Sequence, residues 1–449
     1  MAIRIGNGCG FWGDNLDAPV LLAEAGQLDY LTLEYLAELT MSILCLQKQH
    51  DPEAGFAGDF LDVLERLAPV LRAQPQLKII TNAGGMNPAA CAGKARDILG
   101  KTGLANRIVA AVAGDDLLPR LDQLLEQGHT LTNLDTGETL SAVRARVVSA
   151  NGYLGAAGIV QALKEGAQIV ITGRVADASL TVAPAVHEFG WAWNDWDRLS
   201  AATVAGHLIE CGAQATGALW CNWQEAPDLA NVGYPIVQMQ HDGAFTISKP
   251  EGTGGAVNLE TVSEQLLYEV ADPAAYLTPD VVADFTSVSL TQAGPDVVRI
   301  ENARGRAATD TCKVSIAYRD GFSASGTLVI AGAHAVAKAR LCGEMLLQRV
   351  ERAGFDLEHS NIECLGAGAC APGTSRLVVP PEVVLRVSAH DSRRPAMERF
   401  AKEFAPLVTS GPPGVTGYTT GRPPVREVFA YWPALIAKNA VSPQVEVYR

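Results

Sequence analysis

The sequence predicts an α/β fold: a mostly parallel N-terminal sheet covered by helices, followed by an α+β domain with an antiparallel sheet. Three observations carry this. Short apolar runs alternate with segments of helical period through the first half of the chain. Most of those runs end in a glycine-containing loop. Beyond about residue 230, Asp-Gly and Gly-Pro-Asp turns separate paired strand-like runs instead.

Residues 3–6 read as the first strand, and 16–25 as a helix stopped by Gly26. A strand at 30–33 precedes helices at 37–47 and 60–73. After the strand at 77–81 a helix opens at Asn87-Pro88, because proline suits the first helical position. A strand at 107–112 is followed by a helix at 117–126, and strands at 144–149 and 168–172 flank a helix at 156–165. Short runs this apolar bury both faces, which is the habit of parallel strands. Residues 129–139 read as an inserted hairpin turning at Asp135-Thr136-Gly137. In the second half, 238–240 and 244–248 flank Asp242-Gly243, and 262–269 is helical. Residues 284–292 and 297–301 flank Gly294-Pro295-Asp296, and 313–318 and 325–330 flank Asp320-Gly321. A helix spans 333–353, and strands at 382–387 and 425–431 surround another helix. The Pro/Gly cluster 410–417 reads as an ordered loop. The loop around Ala226-Pro227-Asp228 gives domains 1–230 and 231–449.

Composition excludes several classes of function. Of 449 residues 48% are apolar and 19% charged, too apolar for a disordered chain. The net charge of −14 disfavours nucleic-acid binding, which needs clustered Lys and Arg. No run of about 20 apolar residues would span a membrane, and the N-terminus lacks the pattern of a signal peptide. Nine scattered cysteines, an odd number without C-x-x-C, argue against a disulfide framework or structural zinc. The expected setting is therefore cytoplasmic, with reduced thiols and no metal. An acidic chain of this size is expected to be a homo-oligomer.

In an open parallel sheet, ligands lie beyond the carboxyl ends of the strands. The loops there hold Asn7, Gly8, Cys9, Gly10 and Asp14 after the first strand, Glu34 after the second, and Asn82, Gly84, Gly85 and Asn87 after the third. Asp115 and Asp116 follow the fourth strand, Asn151 and Tyr153 the fifth, and Arg174 and Asp177 the sixth. Recurrence of glycine beside amide and charged side chains points to one shared pocket. Gly8, Gly10 and Gly13 form a literal G-x-G-x-x-G, with Glu34 about 20 residues on, as in a dinucleotide site. Asp14 argues against that, since its charge would stand where a pyrophosphate lies. Arg174 could grip a carboxylate or pair with Asp177 internally. His207, Glu210 and Cys211 share a helical face and could form an acid/base pair or merely a satisfied helix face. Lys249, Thr253 and Gly254 lie in an amide-rich turn suited to an anion. Cys9 as a nucleophile lacks a placed base.

Several segments together resemble the AtuA family, named for acyclic terpene utilisation. They are GNGCGFWGDN at 6–15, DYLTLEYLAELTMSIL at 29–44, ITNAGGMNP at 80–88 and ITGRVADASLTVAPAVHEFGW at 171–191. GHLIECGAQATG at 206–217 and the stretch from ISKPEGTGGAV to EQLLYEVADPAAYLTPDV at 247–281 complete the likeness. The resemblance implies a catabolic role beside enzymes of acyl-CoA metabolism and a small partner subunit. It supplies no residue-level mechanism. The residues, together with the acyl-CoA context the resemblance implies, lead to a cofactor-independent lyase or hydratase acting on a small carboxylate or branched acyl-CoA thioester. Glu34, or Glu210 with His207, would move the proton. Arg174 and the Lys249 loop would hold the substrate oxygens, and Asn82 and Asn87 the developing charge. Replacing Arg174 by alanine is expected to cost efficiency far more than stability. The rival readings are an NAD-dependent oxidoreductase and a non-catalytic large subunit that positions a small partner.

Overall fold

A computed structural model describes residues 2–371, 373, 380–416 and 421–449. Its strands are β1 (Ala2–Asn7), β2 (Tyr30–Leu33), β3 (Lys78–Thr81), β4 (Val109–Ala113), β5 (Val147–Gly152) and β6 (Ile169–Thr172). Then come β7 (Ile236–Gln240), β8 (Phe245–Ser248), β9 (Tyr276–Leu277), β10 (Val282–Asp284), β11 (Ser289–Gly294) and β12 (Val297–Glu301). The rest are β13 (Arg304–Arg306), β14 (Thr311–Ala331), β15 (His359–Leu365), β16 (Glu382–Asp391), β17 (Arg426–Ala437) and β18 (Gln444–Tyr448).

The main sheet has ten strands in the order β11-β12-β8-β7-β1-β2-β3-β6-β4-β18. Its centre, β1 through β4 in that order, is parallel, with Ile5 opposite Tyr30, Tyr30 opposite Lys78 and Val109 opposite Ile169. Every residue of β2 and β6 is buried, as expected of strands covered on both faces. On one face Leu31, Leu33, Ile79 and Ile171 pack with Leu22, Phe60, Leu64 and Cys91 from three helices. The helices Ser179–Phe189 and Trp196–Glu210 also pack on the sheet and on each other. The first stops at Gly190, whose left-handed backbone (φ 65°) suits glycine. The helix Leu259–Leu267 starts at Asn258, whose side chain accepts from the Glu260 and Thr261 amides at 2.9 Å.

The chain forms two compact units, Met1–Ala317 with Tyr431–Arg449, and Tyr318–Ala430. The division does not fall near residue 230. The β7–β8 hairpin, placed by sequence in a second domain, pairs antiparallel with β1 and extends the main sheet. The second unit is an antiparallel sheet in which β16 lies between β15 and β14. The helices Ala335–Arg352 and Arg394–Lys402 cover it through Leu346, Val350, Met397 and Phe400.

Three local readings are corrected. The strand expected at 144–149 is β5, which lies outside the parallel sheet and pairs with β14. The inserted hairpin at 129–139 is a turn without strands, closed by Asn133 and Glu138. Asp320-Gly321 does not turn a hairpin: β14 continues through it for 21 residues. Gly321 (φ 80°) permits close approach to Asp391, whose carbonyl a side chain there would meet at 2.7 Å. Of the loop expected at 410–417, Gly417 lies outside the described residues.

Candidate functional site

A cavity of about 580 Å³ opens at the carboxyl ends of β1, β2 and β6. Gly10, Asp14, Glu34, Arg174, Asp177 and Glu210 line it, so loops after three strands and one helix end meet there, whereas the sequence points to six strand-end loops sharing one pocket. Each is held by the chain around it. Asn7 donates to the carbonyls of Ile209 and Glu210 at 2.6 and 3.1 Å, tying β1 to the end of the helix that presents Glu210. Asn82 donates to Glu34 Oε1 and accepts from the Tyr35 amide at 2.7 Å. Asn7 and Asn82 therefore position carboxyl groups, and neither has its amide free for substrate.

Arg174 is 2% exposed. Its Nη1 donates to Asp177 Oδ1 at 2.5 Å and its Nη2 to the Tyr153 hydroxyl at 3.0 Å, while Nε is buried without a partner. Tyr153 in turn donates to Glu38 Oε1 at 2.8 Å, which Lys313 also binds at 3.0 Å. Burial would raise the Glu38 pKa, but Lys313 and Arg174 outweigh it and hold the carboxyl at about 2. Tyr153 comes from the loop that the sequence places after the fifth strand, as does Asn151. Asn151 reaches the site at one remove: it donates to Asp115 Oδ2, which also accepts from the Arg174 amide at 2.9 Å.

Glu34 and Glu210 are the unusual pair. Burial pushes Glu34 well above the ordinary carboxylate range, and Asp177 adds to this against the pull of Arg174. Burial also raises Glu210, against the pull of His207. Each has an Oε2 buried without a partner. His207 Nε2 lies 2.9 Å from the Gln265 carbonyl, which can only accept, so this nitrogen carries a hydrogen. His207 Nδ1 lies 3.1 Å from Glu210 Oε1, and that contact needs one proton between them. Burial would lower the His207 pKa, but Glu210 and the Gln265 carbonyl more than offset it and leave it raised. Gln265 Nε2 closes the link by donating to the His207 carbonyl at 3.0 Å. No sequence signal marked Gln265, since the pairing exists only once two helices meet.

The remaining choices lie elsewhere. Gly85 and Asn87 line a separate cavity of about 370 Å³ with Lys48, Asp115 and Asp116. Asn87 donates to the Pro52 and Ala54 carbonyls at 2.8 and 2.9 Å, and Gly84 lies against the Thr172 carbonyl. Lys249 donates to the Thr253 carbonyl at 2.8 Å and pairs with Asp296 at 3.1 Å, so its charge is not available to the cavity. Thr253 bonds the Pro250 carbonyl at 2.6 Å, and Gly254 lies against that of Asp228. Burial and Asp14 push the Cys9 thiol up, away from a nucleophilic form. Among the described residues no cluster of three His, Cys, Asp or Glu side chains could hold a metal ion.

The glycines of the first loop serve packing. A β-carbon on Gly10 would meet the Cys211 carbonyl carbon at 2.7 Å, and one on Gly8 would meet Pro19 Cα at 2.8 Å. The Gly10 amide donates to Asp14 Oδ2 at 2.8 Å, and Tyr234 donates to Oδ1 at 2.6 Å. An Asp14 carboxylate thus occupies the amide that a pyrophosphate would use. Gly10→Ala is expected to destabilise the protein by about 1–3 kcal/mol through backbone overlap. Urea unfolding would read this, and an unchanged midpoint would contradict it.

The fold and cavity define an open α/β protein with buried acid–base groups at its strand ends. The chain matches the family described as Acyclic terpene utilisation family protein AtuA over residues 3–447 and belongs to it. That membership places it in acyclic terpene utilisation. A comparison with curated proteins finds no match. Among the described residues no helix is long and apolar enough to cross a membrane.

Proposed function

We propose that the chain is a cofactor-independent lyase or hydratase acting on a small carboxylate or branched acyl-CoA thioester. The observation that supports this reading is the pair Glu34 and Glu210. Both line one cavity, both are raised by burial, and each leaves Oε2 without a partner. Glu34 Oε1 already accepts from Asn82, so its proton belongs on Oε2, the oxygen left to donate to a ligand. Glu210 shares a proton with His207 through Oε1, and in the imidazolium–carboxylate form its Oε2 is the base.

In a dehydration, Glu210 takes the proton α to the carbonyl while Glu34 protonates the departing β-hydroxyl. The C–O bond breaks, the C=C bond forms and water leaves. Hydration is the reverse. In a carbon–carbon cleavage, Glu210 takes the hydroxyl proton and Glu34 protonates the carbon released. Arg174 is committed to Asp177 and Tyr153, which leaves Nε as its only unpaired donor for a substrate oxygen.

The test is turnover of branched 2-enoyl-CoA and 3-hydroxyacyl-CoA thioesters, and of their free acids, in D₂O, read by mass spectrometry. Wild type should give product or deuterium at the α-carbon, and Glu210→Gln should lower the rate by about a hundredfold or more. No turnover or exchange with any thioester or its free acid, or an undiminished Glu210→Gln enzyme, would overturn the reading.

A further inference from the structure

Three apolar side chains line the same cavity yet remain open to solvent: Phe11 is 59% exposed, Leu219 80% and Tyr268 40%. The Leu219 backbone has φ 60°, a left-handed conformation that a bulky L-residue rarely adopts. Beside Tyr268, Glu269 has φ 58°. Strain held without burial in return, at the edge of a cavity, is a signature of function rather than folding. The cavity lining is mixed. Glu34, Arg174, Asp177 and Glu210 are polar, whereas Leu36, Ala213, Ala218 and Val232 add apolar wall. A volume of about 580 Å³ is also more than a four-carbon reacting unit requires.

We propose that Phe11, Leu219 and Tyr268 form an apolar lip for the unreactive hydrocarbon chain of the ligand, and that Leu219 determines chain-length specificity. This rests on reading the cavity as the binding site. The left-handed turn holds the leucine side chain out of the core, at the edge of the cavity. Leu219→Gly separates this role from folding, because glycine tolerates the φ and the lost side chain was already exposed.

The experiment measures binding of two straight-chain series, from four to twelve carbons, by calorimetry. One series is 3-hydroxyacyl-CoA thioesters, and the other is primary alcohols of matched length. Wild-type affinity should rise about threefold per added methylene, close to the transfer limit. In Leu219→Gly and Phe11→Ala the increment should fall below about 1.5-fold, with no loss of melting temperature in Leu219→Gly. If alcohols bind with this dependence and thioesters do not, the lip stands and the thioester reading falls. If thioesters bind without chain-length dependence, if both variants keep the wild-type increment, or if neither series binds, the lip is overturned.

Discussion

Replacing Arg174 with alanine should destabilise the protein by about 3 kcal/mol, the scale of removing one partner from a buried ion pair. The guanidinium is 2% exposed and its donors are divided among Asp177, Tyr153 and the Leu36 carbonyl. It also lies against the Tyr153 ring, 4.2 Å from the centroid. Sequence reasoning expected this change to cost efficiency far more than stability; the burial adds a large stability cost to it. Asp177 keeps 31% of its side chain exposed and can rehydrate, which holds the loss at the low end. The loss should be larger at pH 8 than at pH 6. Arg174 favours the ionised forms of both Glu34 and Glu210, whereas their neutral forms need no cation. Urea denaturation at the two pH values would read the difference. Arg174→Lys, which keeps the charge but loses the fork, should fall between wild type and alanine. An Arg174→Ala protein as stable as wild type at both pH values would show that the ion network adds nothing.

The parallel centre of the sheet was legible because its strands are short, apolar and punctuated. Residues 30–33 are β2 to the residue, and Asn87-Pro88 opens a helix where proline predicts it. What sequence could not show was which strand joins which sheet. β5 has the composition of a parallel strand, but its partner β14 lies more than 150 residues away. Asp320-Gly321 has hairpin chemistry, yet its glycine is required by Asp391, a neighbour only tertiary structure supplies. The site was legible to the same depth. Glu34, Arg174, Asp177 and Glu210, which line the cavity, stand out because charged groups at strand ends and helix ends are uncommon filler. Their supports were not separable from their peers by residue type. Asn7, Asn82 and Asn151 read like ligand-binding amides, but the side-chain N–H₂ of each is committed to the protein itself. The glycine fingerprint is ambiguous in the same way, since close packing of Gly10 on Cys211 demands the same residue as close approach to a phosphate.

Replacing Glu34 with glutamine should stabilise the protein at alkaline pH and flatten its stability–pH curve. Burial, reinforced by Asp177, raises the Glu34 pKa above its ordinary 4.5 against the pull of Arg174. Between that value and the raised one, the folded state keeps a proton that the unfolded chain has released. Stability therefore falls as pH rises through this window, by up to about 1.4 kcal/mol per pH unit. Below the window both states are protonated and nothing is lost; above it the whole loss persists. Glu210 and His207, both raised, act with the same sign, so wild-type stability should decline from acid toward alkaline pH. Glutamine retains an oxygen to accept from Asn82 and an N–H₂ in place of the buried acid, with no charge to desolvate. The melting temperatures of Glu34→Gln and wild type should nearly coincide at pH 4 and separate progressively toward pH 8, with the variant higher. A variant less stable than wild type at pH 8 would mean that Glu34 is ionised and well satisfied in the folded state, and could not be the proton donor. Gain of stability together with loss of turnover in the same variant is the combination expected of a carboxyl group kept buried for its chemistry.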